Sequence, residues 1–235
     1  MSGNSYTLFN ALVDIIASPG KAFDEVKAHT SWWIWPYLIS TLIAAGMYYY
    51  YYGWVDFSWL VEETIRQQPA EIRAEAAEGI RAFMQPGRSM WITVAAIPIV
   101  SLIIYLILAI YFHLANKLTT AAQIGFGQWF SFSVWANFVA VFASIASLIL
   151  ILMSDSNQVS VESLQVTSLN ALLVHASPGD PWFRWASTLS LLNIWVWLLM
   201  IIGYSRWTGA STLKSSIIVL LPWAIIFGIW AVIII

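Results

Sequence analysis

The sequence predicts an all-α, polytopic membrane fold with five transmembrane spans and short interfacial amphipathic helices, forming a single membrane domain over residues 1–235. Asp, Glu, Lys and Arg are absent from 28–55, 89–116, 118–154, 185–205 and 215–235. Each interval holds an apolar run long enough to supply the roughly 20 residues that cross a hydrocarbon core of about 30 Å. The composition agrees, with 60% hydrophobic, 16% aromatic and 9% charged residues, where soluble domains carry about 25% charged. A buried apolar residue favours insertion by about 0.3 to 0.6 kcal/mol and a central charge opposes it by roughly 2.5 to 3.5, so charge-free runs of this length insert readily.

Charge and cysteine usage exclude several classes. The net charge is −2 and the ten Lys and Arg are scattered, so a basic face for nucleic acid is not expected. The chain has no cysteine, which removes disulfides, thiol catalysis and thiolate metal sites. The first 31 residues mix charges and lack the charged n-region and compact apolar run of a signal peptide.

Taken in order, residues 1–31 read as cytoplasmic interfacial helices. Leu8, Phe9, Leu12, Val13, Ile15 and Ile16 form a broad apolar face with Asn10 and Asp14 opposite. Ser18 and Pro19 signal the start of a second short helix carrying Ala22, Phe23 and Val26. The first span, about 32–54, is bracketed by Trp32, Trp33 and Trp35 at one end and Tyr48 to Tyr52 with Trp54 at the other. Trp and Tyr concentrate where bilayer meets water, so Trp32, Trp33, Trp35, Tyr48, Tyr52 and Trp54 are assigned as interface anchors.

Residues 56–88 form a charged helical loop. Ser58 is expected to cap a helix through Leu60, Val61 and Ile65, Pro69 to break it, and Ile72, Ala76, Ile80, Phe83 and Met84 to share one face beyond. Glu62 and Arg66 stand at i,i+4. The segment suits a cap on the membrane surface or a docking platform.

The second span, about 90–115, contains Pro98, which removes a backbone bond to Val94 and predicts a kink. The third, about 127–153, carries small and weakly polar residues: Ser133, Ala136, Asn137, Ala140, Ala143, Ser144 and Ser147. A thinner stripe, Ala186, Ser190 and Asn193, marks the fourth, about 185–206. Small residues let helix backbones approach in lipid, so these two spans are expected to pack together, with Asn137 and Asn193 hydrogen bonding between helices. The polar loop 154–183 is expected to hold a surface helix through Val161, Leu164, Leu169, Leu172 and Leu173, ended by Ser177-Pro178-Gly179-Asp180-Pro181. The fifth span, about 215–235, contains a second expected kink at Pro222.

Lys117, Arg206 and Lys214 lie in short connections, while 154–183 has no Lys or Arg. The positive-inside preference therefore favours a cytoplasmic N-terminus and an outside C-terminus. The arginines of 56–88 oppose this, but more numerous carboxylates are interleaved with them.

No span holds an ionisable group at mid-depth, which argues against ion-coupled transport. The histidines at 29, 113 and 175 lie in separate segments, so neither a metal site nor a base beside a nucleophile is expected. No P-loop, dinucleotide or His-Glu-x-x-His pattern occurs. No catalytic residue, cofactor or metal is assigned, and the protein is expected not to be an enzyme.

Three stretches carry a family resemblance. Ser18-Pro19-Gly20-Lys21-Ala22-Phe23 followed by Trp35-Pro36-Tyr37-Leu38 is similar to a Pro-x-x-x-Phe element before a first span. Gly125-Phe126-Gly127-Gln128-Trp129-Phe130 is like a Gly and aromatic start to a third span. Leu192-Asn193-Ile194-Trp195, Ile202-Gly203-Tyr204 and Ser211-Thr212-Leu213-Lys214 resemble a Phe/Asn-x-Trp, Ile-Gly and Ser-x-x-Lys-Ala pattern across the fourth and fifth spans. Together they resemble the Yip-type membrane proteins, named for eukaryotic members that bind Ypt/Rab GTPases, in their shorter bacterial form. The family often has Pro in the third span, where Trp135-Ala136-Asn137 stands here, and its eukaryotic members have a long cytosolic N-terminal region without a counterpart here. Rab binding therefore does not carry over. The resemblance implies a five-span fold, whose eukaryotic members act in membrane trafficking and shaping; the expectation for this chain is a multi-pass protein of a bacterial inner (plasma) membrane with a membrane-organising or trafficking-like role.

The leading expectation is action through helix packing, lipid contact or partner recruitment, with membrane lipids and a protein partner or second copy as partners. The alternative is a lipid or small-molecule carrier, or scramblase-like conduit, through a polar groove lined by Ser133, Asn137, Ser190 and Asn193.

Overall fold

The structure, a computed structural model, describes residues 6–234. These residues form two compact units: 6–40, 100–140 and 193–229 make the first, and 41–99, 141–192 and 230–234 the second. The described residues are helical apart from turns, loops and an isolated bridge between Ser168 and Ser190.

The helices are α1 Leu8–Ala17, α2 Pro19–Ala28, α3 Ile34–Trp54, α4 Phe57–Arg66, α5 Arg73–Phe83, α6 Pro86–Thr119, α7 Phe126–Asn137, α8 Val141–Met153, α9 Pro181–Thr188, α10 Leu191–Thr208 and α11 Thr212–Ile234. Three stretches are long and apolar enough to cross a membrane: Pro86–Thr119, Phe126–Met153 and Thr212–Ile234, with hydropathies of 2.7, 2.4 and 2.8. The second comprises α7, a 3₁₀ turn at Phe138–Ala140 and α8. The helices at the other two predicted spans, α3 and α10, are 21 and 18 residues long. Their hydropathy is reduced by the tyrosine run of α3 and by Asn193 and Arg206 in α10. Pro98 and Pro222 lie inside α6 and α11, and both helices continue through them.

Local expectations are corrected in five places. The predicted fourth span, 185–206, is interrupted: α9 ends at Thr188 and α10 begins at Leu191. The break is satisfied by distant backbone, with Leu169 N–H donating to Leu189 O at 2.6 Å and Leu191 N–H to Thr167 O at 3.0 Å. Ser190 is drawn into the same pairing, its hydroxyl donating to Thr167 Oγ1 at 2.9 Å. Residues 154–183 form no surface helix but a 3₁₀ turn at Glu162–Leu164 and a π turn at Asn170–Val174. There the Asn170 amide brackets the backbone of Ala176, with its Oδ1 accepting at 2.9 Å and its Nδ2 donating at 3.2 Å.

The cap of α4 is Asp56, which accepts from Trp59 N–H at 3.0 Å, in place of Ser58. Ser18 makes no side-chain cap to α2, although Pro19 opens that helix as expected. Arg66 pairs with Glu63 at 2.7 Å, leaving Glu62 to meet Arg81 of α5 at 3.1 Å.

The core of the second unit gathers Met47, Tyr51 and Val55 of the α3 end, Leu60 of α4, Ile151 of α8 and Leu164. Tyr51 is fully buried and donates its hydroxyl to Val159 O at 2.7 Å. Ser147 holds the same loop, donating to Leu164 O at 2.6 Å. These bonds give buried polar groups the partners that burial demands.

Candidate functional site

In the first unit, α2, α6, α7 and α10 converge on a cluster of aromatic rings: Phe23, Phe112, Trp129, Phe132, Tyr204 and Trp207. All are buried. Trp129 stacks against both Phe112 and Tyr204, with centroids at 5.8 and 5.4 Å, and those two rings lie 5.9 Å from each other. Phe132 lies 5.3 Å from both Phe23 and Trp207. Offset and edge-on pairs of this kind each add about 0.5 to 1.5 kcal/mol beyond area burial.

Gly203 makes the convergence possible. A Cβ there would stand 2.6 Å from the Phe132 ring and 2.9 Å from that of Phe23. The approach of α7 to α10 here is therefore built from an aromatic ring against a glycine.

Polar contacts fix the rim. Trp207 Nε1 donates to Phe23 O at 2.8 Å, clamping α2 to α10. Lys27 Nζ donates to Trp207 O at 3.1 Å, placing a cation at the C-terminal carbonyls of α10 where the helix dipole favours it. Gln128 Nε2 donates to Lys27 O at 3.1 Å, and its Oε1 accepts from Gly125 N–H at 2.9 Å at the start of α7. Lys214 Nζ donates to Thr119 O at 2.6 Å, and the Tyr204 and Thr119 hydroxyls lie 3.2 Å apart. Asn116, almost fully buried, organises the α6–α7 turn by engaging both N–H and C=O of Ala122.

On this rim sits the α1–α2 hairpin. Asp14 accepts from Lys21 at 2.9 Å and from the Tyr6 hydroxyl at 2.9 Å. These bonds, that of Lys21 foremost, hold its carboxyl below the usual range. Ala11 and Ile15 of α1 are fully buried, whereas Phe9, Val13 and Ile16 are 74%, 47% and 39% exposed. Positions 9, 13 and 16 follow helical spacing, so α1 presents a second, unpartnered apolar stripe.

The residues assigned from sequence fall in several places. Ser133 and Ala136 are completely buried. The Ser133 hydroxyl donates to Trp129 O at 2.9 Å and the Asn137 amide to Ser133 O at 2.7 Å, both within α7. Asn193 is half-buried in α10, and Ala140 is exposed at the 3₁₀ turn. Ser144 and Ser190 line a hydroxyl-rich groove of the second unit with Ser147, Thr167, Ser168 and Ser187.

Among the anchors, Trp32 stacks on His29 at 4.1 Å, Trp33 meets Phe130 edge-on at 4.9 Å and Trp35 is half-exposed. Tyr48, Tyr52 and Trp54 pack on the second unit's core. Trp207 was not singled out from sequence, and Trp129, Tyr204 and Tyr51 entered only as motif or tyrosine-run positions, because abundant aromatics hide which of them cluster.

The rim and ring residues include the motif positions that carried the resemblance: Phe23, Gly125, Gln128, Trp129, Gly203, Tyr204 and Lys214. The family model described as Yip1 domain matches residues 13–233. The chain belongs to the Yip1 domain family. No curated protein and no solved structure shows significant similarity to it. Within this Yip1 domain the matched residues span α1 to α11, so the family's extent includes both the aromatic cluster and the three apolar membrane helices.

Proposed function

We propose that this Yip1 domain protein is a non-enzymatic, five-span component of a bacterial inner membrane that organises the bilayer around it. In this proposal α3 and α10 span with the three strongly apolar stretches, the N-terminus is cytoplasmic and the C-terminus lies outside. The α1–α2 hairpin is an interfacial wedge, and lipids, a second copy or a protein partner meet it there.

The observation that carries the proposal is the clamped hairpin. The Phe23–Trp207 ring contact and the Trp207 to Phe23 bond fix α2 to α10, while Phe9, Val13 and Ile16 remain exposed on α1. An amphipathic helix in the interface plane buries its apolar face about 5–10 Å into the headgroup and acyl boundary. A rigidly mounted stripe there occupies area in one leaflet and favours curvature.

Reconstitution into phosphatidylcholine/phosphatidylglycerol vesicles tests this. Mean vesicle diameter by cryo-electron microscopy should fall as the protein-to-lipid ratio rises. The triple variant Phe9→Ser, Val13→Ser, Ile16→Ser should lose most of that effect. Equal diameters with both proteins would remove the wedge.

A further inference from the structure

In the second unit, α5 leaves a groove of about 550 Å³ between its apolar face, the end of α3, α4 and the first turns of α6. That size lies within the roughly 300 to 1,000 Å³ of small-molecule sites. Its walls are mainly apolar, with Ile80 and Phe83 from α5, Met84 just beyond its end and Ile92 from α6. Ser89, only 9% exposed, adds a hydroxyl with no hydrogen-bond partner. The α5 helix has no buried residue, and Ile72 and Phe83 are 47% and 55% exposed.

Charge is placed beside this apolar space. The Arg88 guanidinium lies 5.0 Å from the centroid of the Phe83 ring. Every ion pair of the described residues involves other side chains, so the exposed Arg88 guanidinium is open to an anion. Arg88 also stands in the first turn of α6, where outward-facing backbone N–H groups and the helix dipole favour an anion. The surface is continuous with a membrane helix, since Trp91 and Ile92 follow directly on α6 and are 59% and 46% exposed. A molecule meeting both features has a phosphate at the Arg88 end and a hydrocarbon chain beyond.

We propose that the groove beneath α5 binds one anionic phospholipid, with an acyl chain along Ile80, Phe83, Met84 and Ile92 and its phosphate at Arg88. The site uses the α6 span but not the α1 wedge, so the two proposals can fail separately. Arginine suits a phosphate because its planar fork donates two parallel hydrogen bonds. The bound lipid would fill the space under α5 and tie the charged segment to the bilayer.

Native mass spectrometry of the detergent-purified full chain, titrated with dioleoyl phosphatidylglycerol and separately with phosphate-free dioleoylglycerol, tests the assignment. Gly79→Leu grows a side chain into the groove: Gly79 lines it, and a Cβ there meets nothing within 4 Å. Arg88→Gln changes an exposed side chain without an ion pair. Wild type should retain one phosphatidylglycerol in preference to dioleoylglycerol. Arg88→Gln should weaken the former about ten-fold, the scale of a lost hydrogen bond to a charged group, and abolish the preference. Gly79→Leu should weaken both lipids while leaving the thermal midpoint in detergent unchanged or higher. Undiminished binding to Gly79→Leu, an unchanged preference in Arg88→Gln, or a dimer that excludes the lipid would each overturn the proposal.

Discussion

Replacing Gly203 tests the packing of the aromatic cluster more sharply than truncating any ring. An alanine Cβ at this position stands 2.6 Å from Phe132 and 2.9 Å from Phe23, and both rings are fully buried. Overpacking of this kind costs about 1 to 3 kcal/mol. Alanine in place of a helical glycine returns about 1 kcal/mol, so Gly203→Ala should be destabilising by about 0 to 2 kcal/mol. Gly203→Val adds two methyl groups and should cost about 2 to 3 kcal/mol, lowering the thermal midpoint by about 4 to 12 °C in a chain of this size.

Gly46 and Gly228 supply the control, because a Cβ at either meets nothing within 4 Å. Alanine at those positions should leave stability unchanged or raise it by up to about 1 kcal/mol. The assay is thermal unfolding in one detergent, read by tryptophan fluorescence and by loss of the monodisperse chromatographic peak. Phe23→Leu in the Gly203→Val background should recover part of the loss, because it removes one of the opposing rings. If Gly203→Val were as stable as Gly46→Ala, the close approach of α2, α7 and α10 would be refuted.

Other outcomes are fixed by individual contacts. Trp207→Phe deletes the bond to Phe23 O and should lower stability by about 1 kcal/mol in the same assay. Trp129→Phe removes an indole N–H that is buried without a partner and should cost less than Trp207→Phe. Tyr51→Phe should cost about 1 kcal/mol through the lost bond to Val159 O, with amide exchange rising across 157–165. The depressed carboxyl of Asp14 stabilises the hairpin above the ordinary value near 3.9. That stability is lost as pH falls through the depressed value, so α1 amide exchange should accelerate there in wild type and depend less on pH in Asp14→Asn.

Much of the helical order was legible because charge-free runs and helix-breaking residues are local signals. Pro19 opens α2, and the polar 56–88 segment breaks after Arg66 as the proline at 69 requires, whereas Pro86 and Pro181, which open α6 and α9, were not read as helix starts. The break at Leu189 and Ser190 was hidden because its backbone partners, Leu169 and Thr167, are about twenty residues away in the chain. Likewise Asp56 displaced Ser58 as a cap because its carboxylate, unlike the serine hydroxyl two residues inside the helix, can face the open N–H of Trp59.

The aromatic cluster was the least legible part. The chain holds 15 Trp, 10 Tyr and 12 Phe, and ring composition alone does not separate membrane anchors from core. Gly203 sits inside α10 where the rings of Phe23 and Phe132 approach closely, but Gly46 and Gly228 lie inside helices with nothing within 4 Å, so a helical glycine alone did not mark the site.

Single-cysteine labelling tests the five-span claim most directly, because the chain has no native cysteine. Cysteines replacing Ala28, Ala70, Gln123 and Asp155, all exposed, sample the segment before α3 and the three connections that follow it. A membrane-impermeant maleimide applied to intact cells stripped of outer barriers should label positions 70 and 155. Positions 28 and 123 should react only after permeabilisation. A three-span protein using α6, α7 with α8, and α11 alone would group 28, 70 and 155 against 123, and that result would contradict the account.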